Sequence, residues 1–235
     1  MKSYLSELKI RNPPKVNIWG ISLERIFPYV HPRFLSNASI IFSPNYLRII
    51  IVRHPLDRLA SGYMDKINSL RTSSGSYANL RRLICRKYSS FYLTIKQQNW
   101  YKTNDADEQE PCQKIVPKFE HFIDYIMFDD IKMNVHWRPY SDLCHACLFK
   151  YNFIGKYETI EDDLKRIADY LGLDLNEWIK YGHFEPGRRK QKYKSLYSNL
   201  NETYLCYLKQ FYENDFKLFD YRFEDYLPSN KILRC

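Results

Sequence analysis

The chain has 235 residues, 45% of them hydrophobic and 17% aromatic, with 21 Tyr and only 7 Gly. That content of large apolar side chains excludes a disordered polyelectrolyte and suits one folded domain over residues 1–235. The formal net charge of +9 favours anionic partners: nucleic acid, anionic membrane, phosphorylated nucleotides or acidic glycans.

Residues 1–12 read as a polar, helix-prone leader. The first ten, MKSYLSELKI, lack the apolar core of a signal peptide. No run of about 18 apolar residues exists for a membrane-spanning helix. Two N-x-[ST] sequons, at Asn37 and Asn201, are glycan acceptors for a chain that enters the secretory pathway.

Leu47–Val52 is a short run rich in β-branched residues, the pattern of a buried strand in a parallel sheet. Helical spacing follows at once, with Leu56, Leu59, Ala60, Tyr63, Met64, Ile67 and Leu70 on one stripe. Pro55 sits near the first turn, where a missing N–H costs nothing. Residues 47–70 therefore predict strand, tight turn, helix.

Residues 71–118 are polar, with helical pieces around Leu80–Tyr88 and a loop near 103–114. Phe119–Phe128 has the pattern of a short amphipathic helix. A second strand is expected at Phe149–Tyr157. Thr159-Ile160-Glu161-Asp162 predicts a capping box for the helix behind it, with Gly172 as C-cap. Residues 183–199 are basic and poorly periodic. A last helix is expected over Glu202–Asn214. Strand–helix alternation favours an α/β domain with a parallel sheet flanked by helices.

In such a domain the strand's C-terminal end faces the ligand crevice. Arg53 stands at that end, where a guanidinium can hold a phosphate bidentately. Ser61 lies eight residues on, and its hydroxyl can donate to the same anion. The helix N-terminus adds N–H groups and a favourable dipole.

Residues 50–66, IIVRHPLDRLASGYMDK, resemble the 3′-phosphate-binding segment of the Golgi carbohydrate sulfotransferases. The similar branch contains the HNK-1 and the chondroitin/dermatan/GalNAc 4-O-sulfotransferases. A second block, His136-Trp137-Arg138-Pro139, Cys144-His145-Ala146-Cys147 and Tyr151–Thr159, resembles that branch's HW-x-P, C-x-x-C and YDFIGKYET elements. A third, Tyr212–Tyr221, is similar to its C-terminal DF-x-LF-x-Y. The resemblance implies a P-loop-like α/β fold and 3′-phosphoadenylyl sulfate (PAPS) as sulfuryl donor. It implies Arg53 and Ser61 as ligands of the nucleotide's 3′-phosphate, a glycan acceptor, and a place in the Golgi lumen. The N-terminal membrane anchor of the family has no counterpart in the sequence.

The family's 5′-phosphosulfate loop is matched only in outline, by Pro14–Arg25. Lys15, Ser22 and Arg25 are its candidate ligands, although the Cys-Thr-Asn-Trp centre of the family loop is absent. A catalytically inactive luminal homologue is thus the alternative reading. In-line sulfuryl transfer needs a cation at the leaving oxygen and a base for the acceptor hydroxyl, and no metal. Lys15 is the expected cation and His136 the expected base, with His54 and His31 as rivals.

Arg188, Arg189 and Lys190 open the densest basic stretch and are expected to meet an acidic glycan. Of the six cysteines, Cys144 and Cys147 are expected in structural disulfides with Cys85, Cys112 or Cys206 rather than on zinc. Nucleic acid is not an expected partner, because no RRM, KH or helix-turn-helix pattern is present. A P-loop kinase is excluded by the lack of G-x-x-x-x-G-K-[ST].

Overall fold

Three isoleucines and a valine make strand β1, Ile49–Val52. Their branched side chains favour extended backbone. In the computed structural model, which describes residues 45, 47–70, 75–103, 110–128, 134–144, 146, 150–173, 190–227 and 233–235, β1 pairs in parallel with β2, Phe153–Lys156. The register runs from Ile49 opposite Phe153 to Val52 opposite Lys156. A β-carbon on Gly155 would lie 2.6 Å from the Ile51 Cδ1 atom, so any larger residue there would make the end of that side chain shift.

Helix α1, Pro55–Gly62, follows β1 directly and continues as a wider π-helical segment, Tyr63–Ile67. Leu56, Leu59, Ala60, Tyr63 and Ile67 are buried, as the stripe predicts. Leu70 is 51% exposed because the helix has ended before it. Helices α2 (Ser76–Lys87), α3 (Ser89–Tyr92) and α4 (Ile95–Thr103) come next. A 3-10 turn, Pro111–Lys114, leads to α5, Phe119–Phe128.

The short α6, Tyr140–Leu143, precedes β2. Helix α7, Ile160–Leu171, ends at Gly172 in the left-handed conformation, φ 65°, the geometry a C-cap glycine supplies. The predicted capping box at its start does not form. The Thr159 hydroxyl instead donates to the Asp163 carboxylate at 2.8 Å, and that carboxylate also takes the Lys156 N–H.

The last helical region is divided. Helices α8 (Lys190–Ser198), α9 (Glu202–Phe211) and α10 (Glu213–Leu218) follow one another, with a break at Tyr212 where one helix was expected. Asn201 caps α9 by accepting the Tyr204 N–H at 2.9 Å. After α10, Asp220 adopts φ 51°, a left-handed turn that Asp tolerates. It sends Tyr221 back along the helix, toward a 3-10 turn at Phe223–Tyr226.

One apolar core joins α1, α2, α5, α8, α9, Trp137, Tyr212, Phe216, Phe223 and Tyr226. A smaller cluster of Ile50, Val52 and Phe219 covers one face of the sheet. The described residues are mostly helical, with a two-stranded parallel sheet.

Among the described residues two disulfides are formed, Cys85–Cys112 and Cys206–Cys235. This corrects the expected pairing of Cys144 and Cys147 with Cys85, Cys112 or Cys206. Those three already have partners, and Cys144 is a free thiol. Cys147 lies outside the described residues.

Candidate functional site

Arg53 leaves β1 at its C-terminal end and turns its guanidinium onto Asp57, one helical turn into α1. Four residues apart on a helix face is contact distance. The Tyr157 ring covers the guanidinium, 4.9 Å from its centroid. Asp57 is buried, and its second oxygen accepts the Tyr226 hydroxyl at 2.7 Å. Ser61 lies one further turn along, about 6 Å by helical rise. It is half-buried, and its hydroxyl has no hydrogen-bond partner among the described residues.

The turn before α1 is fixed by His54. Its Nδ1 accepts the Leu56 N–H at 3.2 Å, and its Nε2 faces the Arg222 carbonyl at 3.0 Å. A carbonyl only accepts, so Nε2 carries the proton and the ring is neutral. Burial lowers its pKa in the same sense. With both nitrogens occupied, His54 is unsuited to be the base.

The helix N-terminus also offers less than the sequence suggests. Pro55 has no N–H, the Leu56 N–H is taken by His54, and the Arg58 N–H bonds the His54 carbonyl.

Glu158, just beyond β2, ties three segments together. One oxygen takes the His54 N–H at 2.8 Å, and the other takes the Tyr221 hydroxyl at 2.7 Å. A second junction forms at Arg58, which donates to the carbonyls of Arg138 and Val135 at 2.7 and 2.6 Å. Its guanidinium also stacks on Tyr140, 4.0 Å from the ring centroid. Tyr212 donates to the Trp137 carbonyl at 2.5 Å. Asp215 takes the N–H groups of Tyr140 and Ser141 at 2.7 Å each. The three sequence blocks, around residues 53–58, 136–158 and 212–221, thus meet at these junctions.

A sulfotransferase-family profile matches residues 32–222, the span that contains all three blocks. The chain belongs to the sulfotransferase family. Curated relatives include carbohydrate sulfotransferase 10 of Gallus gallus, 29% identical over 77% of this chain and 48% of its own length. Carbohydrate sulfotransferase 11 of Danio rerio is 28% identical over 78% and 49%. Carbohydrate sulfotransferase 14 of Danio rerio is 29% identical over 75% and 44%. The chain spans about half the length of these relatives. No solved structure matches it.

Of the family-derived site residues, Arg53 follows the end of β1 and Ser61 stands in the last turn of α1. His136 approaches α1 further along: a β-carbon on Gly62 would lie 3.5 Å from the His136 carbonyl oxygen and 3.7 Å from its Cβ. Its ring packs edge-on to Tyr77 at 5.5 Å. Burial, then Lys66, lowers its pKa, so the imidazole is neutral near pH 7 and can accept a proton. Asn201 is exposed at the start of α9.

Lys15, Ser22, Arg25, His31, Asn37, Arg188 and Arg189 lie outside the described residues, as does the side chain of Lys190. Helix α8, which begins at Lys190, packs on α1 through the Tyr197 hydroxyl, bonded to the Leu56 carbonyl at 2.6 Å. Among the described residues no His, Cys, Asp and Glu cluster could hold a metal ion, and no helix is long and apolar enough to cross a membrane.

Sequence reasoning missed Asp57, Glu158, Asp215 and Tyr226. The spacing of Arg53 and Asp57 is a signal that could have found the first. Tyr226 has none, because its partner is 169 residues away.

Proposed function

We propose that this chain is a carbohydrate sulfotransferase, moving a sulfuryl group from PAPS to a glycan hydroxyl. The observation that carries the proposal is Arg53: a partly exposed guanidinium at the end of a parallel strand, oriented by a buried carboxylate. Ser61 stands eight residues on, in the last turn of α1. That is the chemistry a 3′-phosphate needs: a cationic fork with a hydroxyl donor alongside. The relatives' names support a carbohydrate acceptor. We assign the acceptor as GalNAc in chondroitin or dermatan, or an N-glycan terminus, and the compartment as the Golgi lumen. Residues 1–235 form one domain of P-loop-like α/β type in this reading.

Arg53 and Ser61 bind the 3′-phosphate. Lys15, Ser22 and Arg25 bind the 5′-phosphosulfate end. The acceptor oxygen forms its bond to sulfur as the bond from sulfur to the bridging oxygen breaks. His136 takes the acceptor's proton, and Lys15 neutralises the charge on the leaving oxygen. Arg188, Arg189 and Lys190 hold the acidic glycan.

The reading is tested by calorimetric titration with adenosine 3′,5′-bisphosphate. Binding is expected for the native chain, with a loss of roughly a hundredfold in Arg53→Ala, as for a charge-assisted bidentate contact. No binding to the native chain would remove the site assignment. Binding without transfer to any glycan would favour the inactive homologue, which the divergent 14–25 segment also suggests.

A further inference from the structure

Asp57 lies behind the Arg53 guanidinium, its side chain only 7% exposed. A buried carboxylate persists only when its oxygens are paired and hydrogen-bonded. Here one oxygen engages Nε and a terminal nitrogen of Arg53, and the other accepts the Tyr226 hydroxyl. Burial and the neighbouring Asp57 push the Tyr226 pKa up, so the phenol stays a donor.

The Tyr226 ring also stacks on His54, with centroids 4.3 Å apart. The preceding residues of the same segment bring the Arg222 carbonyl to His54 and the Tyr221 hydroxyl to Glu158. Residues 221–226 therefore supply several of the contacts that set the direction of residues 53–57, together with Tyr157, Glu158 and the Tyr197 hydroxyl on the Leu56 carbonyl.

The arrangement leaves the opposite edge of the guanidinium for an anion. An arginine has five N–H donors in a planar fork. Asp57 uses one edge and Tyr157 covers one face. A side chain held this way need not be ordered by its ligand, which is how preorganisation raises affinity. The Tyr226 hydroxyl further draws charge from the Asp57 carboxylate, reducing its opposition to a phosphate dianion.

The geometry points to Asp57 and Tyr226 as positioning residues for Arg53. Through them the segment 221–226 sets how much binding the site gains from a 3′-phosphate. This rests on Arg53 being the 3′-phosphate ligand. Neither residue touches the nucleotide, and both act by holding the guanidinium.

The test compares two ligands, adenosine 3′,5′-bisphosphate and adenosine 5′-monophosphate, by calorimetry on the full chain. The quantity read is the ratio of their dissociation constants, which a general loss of folded protein does not move. Tyr226→Phe keeps the ring and removes one oxygen. It is expected to reduce the preference for the 3′-phosphate about tenfold, the scale of one hydrogen bond to a charged group. Asp57→Ala is expected to reduce it by at least as much. Asp57→Asn, which can still accept from Arg53 and donate to Tyr226, is expected to recover most of it.

An unchanged ratio in Tyr226→Phe and Asp57→Ala, beside a lost preference in Arg53→Ala, overturns the positioning role and leaves the nucleotide site standing. A parallel fall in both affinities makes Tyr226 merely structural and also overturns it. A native chain that does not distinguish the two ligands refutes the 3′-phosphate reading itself.

Discussion

Replacing Asp215 with Ala removes the tie between α10 and the start of α6. Asp215 is fully buried, and its two oxygens accept the N–H groups of Tyr140 and Ser141. These are the first two N–H groups of α6, whose N-cap residue is Pro139 and has no side-chain acceptor. The capping group has therefore been supplied from a distant helix. In Asp215→Ala both donors lose their partner, at about 1–3 kcal/mol each. Tyr140 and Ser141 are half-buried, so water recovers part of this. A net loss of about 2–4 kcal/mol is expected, a large share of a stability of roughly 5–15 kcal/mol. Asp215→Asn keeps one carbonyl oxygen and should lose about half as much. Urea unfolding followed by fluorescence measures this, because Trp137 is wholly buried in the core beside the perturbed segment. An Asp215→Ala variant within about 0.5 kcal/mol of the native chain, the range of ordinary surface changes, would refute the reasoning. So would an Asn variant as unstable as the Ala variant.

Other expectations follow from the same contacts. Burial holds the His54 pKa below its usual 6.5, so the unfolded chain binds the proton more readily. Stability from neutral His54 is complete above about pH 6.5 and is lost as the pH falls below it. His54→Asn, which preserves an N-cap acceptor, should flatten that acid limb in urea midpoints. An equally steep limb would argue against it. Non-reducing peptide mapping should recover Cys85–Cys112 and Cys206–Cys235. Cys206→Ser should cost about 3–4 kcal/mol, from the loop entropy of a sequence separation of 29. A Cys144-linked peptide to Cys85, Cys112 or Cys206 would contradict the pairing. At Asn201, the cap and the sequon separate cleanly. Asn201→Asp should abolish any glycan there and retain stability, whereas Asn201→Ala should cost about 1 kcal/mol. Equal stability losses in both variants would count against the cap.

Local patterns were legible where one segment decides its own structure. The β-branched run gave β1, Pro55 marked the start of α1, Phe119–Phe128 formed as read, and Gly172 ends α7 in the left-handed state. Features decided by partners far along the chain were not legible. Thr159 fails to cap α7 because Asp163 claims its hydroxyl. The break at Tyr212 leaves its hydroxyl on the Trp137 carbonyl and Asp215 beneath α6. The site divides in the same way. Strand-end placement, helical spacing and the resemblance of residues 50–66 to the family segment pointed to Arg53 and Ser61. Asp57 and Tyr226, which set the direction of the guanidinium, required the fold. His54 looked like a rival base until its two nitrogens were found committed to the Leu56 N–H and the Arg222 carbonyl.

The most direct measurement is transfer of radiosulfate from labelled PAPS to a panel of desulfated chondroitin, dermatan and N-glycan acceptors. The native chain should label at least one acceptor, and Arg53→Ala and His136→Ala should not, with His136→Ala still binding adenosine 3′,5′-bisphosphate. No labelled acceptor from a chain that binds the nucleotide, or undiminished transfer by Arg53→Ala, would contradict the account.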